Sequence, residues 1–150
     1  MMEWLRSKGC PFDSCECSLA AWGGHLELLR WLRSQDPPCP WDVRVCYNAA
    51  EQGDLEMLKW ARAQDPPCLW NDEVCEKAAQ RGDLEMLKWA RAQDPPCPWD
   101  EYVCSEAAKR GDLEMLQWAR SKGCPWRQRS CLRAAQGHPH VQEWIRNNNN

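Results

Sequence analysis

The stretch GDLEMLKWARAQDPPC spans residues 53–68 and recurs without change at residues 82–97. A segment this long does not recur by chance, so the chain contains copies of one unit. Cysteine pairs separated by six residues continue the period, with starts 29, 29, 29 and 27 residues apart. The pairs are Cys10/Cys17, Cys39/Cys46, Cys68/Cys75, Cys97/Cys104 and Cys124/Cys131. The chain of 150 residues is therefore predicted to hold about five units.

Each unit has the pattern of two short helices. In the unit that begins at Cys97, Asp100 is predicted to cap a first helix over about residues 101–109. Gly111 ends that helix, and Asp112 caps a second helix over about residues 113–120. The equivalent caps in other units are Asp13, Asp42, Asn71, Asp54 and Asp83. Helices this short are unstable alone, so the apolar faces of neighbouring units must pack together.

The segment Ala107–Glu114, AAKRGDLE, resembles the ankyrin repeat, and residues 20–27 resemble it more closely because His25 stands at the usual ankyrin histidine. The resemblance implies an all-α ankyrin-like helical repeat solenoid of about five helix-turn-helix units. The units are 27–29 residues long instead of 33, and the shortening falls where ankyrins extend their finger, so we expect shortened fingers. Val-Cys, as at Val103–Cys104, replaces the ankyrin threonine-proline-leucine-histidine motif. Units with Cys-Pro-Trp-Asp are similar to arrays from giant viruses and some protists.

The repeat predicts one array over residues 1–146 followed by a disordered asparagine tail at 147–150. The predicted units are 1–9 (partial), 10–38, 39–67, 68–96, 97–123 and 124–146. Because no signal peptide or long apolar stretch is visible, we expect a cytoplasmic, intracellular protein, in the host cell if the chain is viral. A reducing compartment would keep the thiols free.

Charge is unevenly distributed along the chain. Residues 36–119 carry seventeen acids and nine bases, whereas residues 120–150 carry six bases and one acid. The acidic body argues against a nucleic-acid footprint over most of the surface. The basic C-terminal unit leaves open an acidic partner or nucleic acid that binds there.

The repeated cysteines and tryptophans are interpreted as core residues. Six residues between cysteines is a loose spacing for zinc, so a small buried hydrophobe is favoured over a metal ligand or an oxidised pair. Tryptophans in phase with the repeat, such as Trp89, are predicted to pack in the core, while Trp22 is out of phase. Cys131 with His138 is the single thiol–imidazole candidate, and we expect no enzymatic activity, no cofactor and no metal.

The positions that change between units point to protein binding. Comparison of the first helices shows changing side chains spaced i, i+3, i+7, which places each set on one helical face. The predicted partner-binding residues are Arg44, Tyr47, Glu51, Glu73, Glu76, Gln80, Tyr102, Ser105 and Lys109. By resemblance to ankyrins, this face is concave, and the chain is expected to be a monomeric scaffold for another protein. A structural spacer, or a fragment of a longer array without a dedicated partner, is the alternative.

Overall fold

A computed structural model describes residues 14–148, which form ten α-helices and no β-strand. The all-α prediction is therefore confirmed for this part of the chain. The partial unit at residues 1–9 and the cap predicted at Asp13 lie outside it. Two compact units divide the described residues, one ending at Trp70 and one beginning at Asn71. The single array predicted for residues 1–146 stays a prediction.

Between Ser14 and Trp70, the described part of the first compact unit contains two helix pairs. The helices are α1 (Ser14–Trp22), α2 (Leu26–Ser34), α3 (Val43–Gln52) and α4 (Leu55–Arg62). Each first helix contacts the second helix of its own pair, and the first helices α1 and α3 also pack against each other. Contacts therefore join the two helices of each pair and the first helices of consecutive pairs.

The second compact unit contains three helix pairs. The helices are α5 (Asp72–Arg81), α6 (Leu84–Arg91), α7 (Glu101–Arg110), α8 (Leu113–Ser121), α9 (Gln128–Ala134) and α10 (Pro139–Asn147). The first helix α7 packs between α5 and α9, which are also first helices. Helix α10 ends at Asn147, one residue beyond the boundary that the sequence predicted. No helix in the described part has both the length and the apolar character needed to cross a bilayer.

Capping side chains set the helix ends as predicted. The first-helix caps Asp42, Asn71 and Asp100 each accept a hydrogen bond from the backbone N–H two residues later, at 3.0–3.1 Å. The second-helix caps accept from the N–H three residues later, each at 3.0 Å; they are Asp54, Asp83 and Asp112. Gly82 and Gly111 each follow a first helix, and their φ angles are +71° and +72°. A residue with a side chain would be strained in this left-handed conformation.

The core is made mainly of small and unbranched side chains. The alanine pairs of the first helices, such as Ala107 and Ala108, are fully buried. They let the backbones of consecutive first helices come within 8 Å of each other inside each compact unit. The second helices add a Met–Leu pair, as at Met115 and Leu116, which is also fully buried.

The cysteines confirm the prediction that they act as small core residues. Nine are at most 1% exposed: Cys17, Cys39, Cys46, Cys68, Cys75, Cys97, Cys104, Cys124 and Cys131. The thiol of a first-helix cysteine points to the next unit, not to its partner in the same pair; Cys75 Sγ lies 3.9 Å from the carbonyl oxygen of Cys97. A hydrogen bond to Cys97 and burial raise the pKa of Cys75.

The tryptophans correct the prediction that they lie inside the core. Among residues 14–148, the tryptophans that are in phase with the repeat are half-buried, Trp89 among them. Within the units they form edge-to-face pairs, such as Trp99 with Trp118 at 5.8 Å between ring centroids. They lie on the second helices or in the loops, whereas the buried alanine pairs lie on the first helices. Trp22, the out-of-phase tryptophan, is 60% exposed.

Candidate partner-binding face

The three predicted residues on α3 differ in how exposed they are. Arg44 is exposed, but its guanidinium bonds the Asp42 carboxylate at 2.9 Å and the Ser14 hydroxyl at 2.7 Å. Its hydrogen bonds lower the pKa of the Asp42 carboxyl. Tyr47 and Glu51 are half-buried on the same helix. Arg44 therefore links α1 to α3 and is a weaker candidate for partner contact than the sequence indicated.

The three predicted residues on α5 form a polar stripe. Glu73 is exposed, and Glu76 and Gln80 are half-buried. The Gln80 amide donates to a Glu76 carboxylate oxygen at 3.3 Å and accepts from the Lys77 ammonium at 3.2 Å. These contacts join side chains one turn apart, so the stripe is held along the helix axis. Lys77 was not among the predicted residues.

Helix α7 carries an exposed aromatic ring among the predicted residues. Tyr102 is 53% exposed, Lys109 is exposed, and Ser105 is half-buried. The helices α5 and α7, which carry six of the predicted residues, pack against each other. The three predicted residues of α3 belong to the first compact unit.

Acidic side chains crowd the α5–α7 part of the face. Partial burial raises the pKa of Glu76, and the negative charges of Asp100 and Glu106 raise it further. Partial burial also raises the pKa of Asp100, with a contribution from a hydrogen bond to Asp72. Asp72, Asp100 and Glu106 were not predicted as part of the face, although their acidity was visible in the sequence. The face carries negative potential that nearby cations only partly offset.

The single thiol–imidazole candidate does not have the properties of a catalytic pair. Cys131 is fully buried, and burial raises the pKa of its thiol to about 11. The thiol is therefore protonated at neutral pH, whereas the nucleophilic form is the thiolate. His138 is the N-cap residue that precedes α10, and its ring centroid lies 6.3 Å from that of His140.

Within the described residues, no three His, Cys, Asp or Glu side chains are arranged to hold a metal ion. The cysteines alternate between first helices and the loops that precede them, and their thiols face backbone carbonyls. Cys97 Sγ, for example, lies 3.3 Å from the Asn71 carbonyl oxygen, and Cys124 Sγ lies 3.4 Å from that of Asp100. These contacts serve loop packing.

A repeated contact that the sequence analysis missed holds the loop after each second helix. We call it the arginine clamp: an arginine near the helix end donates to a loop cysteine carbonyl and stacks on the tryptophan that follows. In one clamp, Arg91 donates to Cys97 O at 2.6 Å and lies 4.1 Å from the Trp99 ring centroid. The other clamp arginines are Arg33, Arg62 and Arg120. Each clamp arginine lies two residues after the tryptophan of its second helix, and this fixed spacing was the available signal.

The chain matches no known protein-family model and has no significant match among curated proteins. The resemblance to ankyrin repeats therefore rests on the residues and helix pairs described above.

Proposed function

We propose that this chain is an ankyrin-like repeat array that binds another protein through the exposed face of its first helices. The observation that supports this most is the division between constant and changing positions. Cys46, Cys75 and Cys104 are equivalent, constant and 0% exposed. The residue after each of them changes from unit to unit and is half-buried at the surface.

A constant interior and a varied surface are what a binding array requires, since specificity can change without loss of stability. In the second compact unit the varied surface combines the exposed ring of Tyr102 with the acidic side chains near Glu76. Tyrosine is enriched at protein interfaces because its large ring binds with little entropic loss. We expect the partner segment to carry basic side chains and an apolar group.

Affinity capture with matched variants tests the proposal. The binding variant combines Tyr47→Ala, Glu76→Ala and Ser105→Ala, all at the equivalent first-helix position. The control variant combines three glutamates that are exposed at the equivalent second-helix position, each changed to Ala: Glu56, Glu85 and Glu114. The tagged proteins are exposed to extracts of cells that produce the chain, and bound proteins are identified by mass spectrometry.

The proposal predicts that the control variant captures the same proteins as the unchanged chain, while the binding variant loses them. Circular dichroism should show the same helix content in all three. Equal capture by the binding variant would contradict the assignment of the face. Specific capture by none of the three would favour the structural spacer, or a fragment of a longer array.

A second candidate function concerns the basic C-terminal unit. Arg129 and Arg133 are exposed on α9, whereas Arg127 is paired with Glu101 at 2.8 Å. An acidic partner or nucleic acid would dock on the unpaired arginines. Filter binding at rising salt tests the nucleic-acid form, because phosphate contacts weaken steeply with salt. Changing both arginines to Ala should then abolish retention.

A further inference from the structure

A groove lies between the second helices α6 and α8, on a different surface from the first-helix face. Its volume is about 390 Å³, and it is lined by Lys88, Arg91, Ala92, Trp118 and Lys122. Sites for small ligands and side chains span about 300–1,000 Å³. The groove is therefore large enough to hold one or two side chains of a partner.

Two lysines flank the half-buried indole of Trp118. The Lys88 ammonium lies 5.9 Å from the Trp118 ring centroid, and Lys122 follows one turn after Trp118. Both lysines are exposed, and neither has a carboxylate within ion-pair distance among residues 14–148. Arg91 is already engaged in its arginine clamp. The groove thus offers two free ammonium groups beside an apolar ring.

The next groove along the chain shows that the fold does not need these lysines. It lies between α8 and α10, measures about 290 Å³, and is lined by Gln117, Arg120, Ser121, Trp144 and Asn148. By position in the repeat, Gln117 corresponds to Lys88 and Asn148 to Lys122. This second groove has a tryptophan, Trp144, and a clamp arginine, Arg120, but no lysine at either of the two equivalent positions.

We propose that the groove at Trp118 binds an acidic segment of a partner protein. Carboxylates of the segment pair with Lys88 and Lys122, and an apolar side chain packs on the indole between them. The charge of the groove is complementary to such a segment, and the indole adds contact area that a charged group alone would not use.

The backbone of the groove favours carboxylates over phosphate. Phosphate sites commonly use free backbone N–H groups at helix N-termini. Here the lining residues lie at helix C-terminal ends, where the N–H groups of Ala92 and Lys122 already donate to the carbonyl oxygens of Lys88 and Trp118. A dianion would face the negative end of both helix dipoles, while separate carboxylates can each meet one ammonium.

Fluorescence anisotropy with a labelled peptide of glutamates around a central phenylalanine tests the proposal. The variant Lys88→Gln/Lys122→Asn gives the groove the side chains of its neighbour, and we expect it to bind about tenfold more weakly, since each surface ion pair contributes modestly. The reciprocal variant Gln117→Lys/Asn148→Lys should gain a second peptide site. Circular dichroism should show that both variants keep their helix content.

Unchanged peptide affinity in Lys88→Gln/Lys122→Asn would overturn the proposal. So would equal binding of a peptide in which glycine replaces the phenylalanine, because the indole would then have no part. Displacement of the peptide by inorganic triphosphate at lower concentration than by unlabelled peptide would assign the groove to a phosphate ligand instead. The first-helix variant with Tyr47, Glu76 and Ser105 changed to Ala should bind the peptide normally, which separates this surface from the proposed partner face.

Discussion

Loss of one arginine clamp should destabilise the chain far more than loss of a neighbouring charge on the same helix. Arg91→Gln removes a charged hydrogen bond to Cys97 O and the guanidinium stacked on Trp99. A hydrogen bond from a charged donor contributes about 1.5–3 kcal/mol, and a partly exposed cation–π contact adds about 0.5–1 kcal/mol. The expected cost in unfolding free energy is therefore about 2–4 kcal/mol.

Lys88→Gln is the matched control, since Lys88 lies one turn before Arg91 and is exposed. Its expected cost is within about 0.5 kcal/mol, as for most surface substitutions. Arg91→Lys should fall between the two, because an ammonium can donate to the carbonyl but cannot stack as a planar fork. Urea unfolding followed by circular dichroism measures all three. Equal midpoints for Arg91→Gln and Lys88→Gln would refute the reasoning.

Three further predictions concern buried polar groups and thiols. Asn48→Ala should cost about 1–3 kcal/mol, because the buried Asn48 amide donates to the backbone oxygen and the hydroxyl of Ser18 at 3.0 and 3.1 Å; an unchanged urea midpoint would contradict this. Cys15 is exposed and Cys75 is buried, so maleimide should label Cys15 quickly and Cys75 only as the chain opens. Mass spectrometry measures both labelling rates, and similar labelling rates for the two thiols would count against the described packing. Burial raises the pKa of Cys131 from 9.0 to about 11, so the folded chain holds a proton that the unfolded chain releases. Stability should therefore fall between about pH 9 and pH 11, by about 1.4 kcal/mol per pH unit for this thiol, and pH-dependent urea unfolding would contradict this if stability stayed flat.

Local structure was predictable because its causes are local in the sequence. Asp100 and Asp112 cap helices through bonds to N–H groups two and three residues away, and Gly111 ends a helix through its own backbone conformation. The buried alanine and cysteine positions followed from their period. Each of these features depends on residues within one unit, and the repeat displays that unit several times.

Contacts between units were harder to predict. The half-burial of Trp118 depends on how closely the helices approach, which the repeat pattern does not specify. The bond from Asn48 to Ser18 joins residues 30 positions apart, and no other unit has an asparagine at the position of Asn48. Repeat comparison finds what the units share, so a contact present once leaves no signal. The arginine clamp does recur, but it was missed because Arg91 looks like an ordinary cation at a helix end.

Site-specific photo-cross-linking tests the central claim most directly. A photo-reactive amino acid is placed either at Tyr102, the exposed aromatic residue of the proposed first-helix face, or at Glu114, an exposed residue on the second helix α8 of the same unit. After irradiation in cells that produce the chain, cross-linked proteins are identified by mass spectrometry. A defined partner cross-linked from position 102 and absent from position 114 is the predicted result. A partner captured from position 114 and not from position 102 would contradict the assignment of the first-helix face.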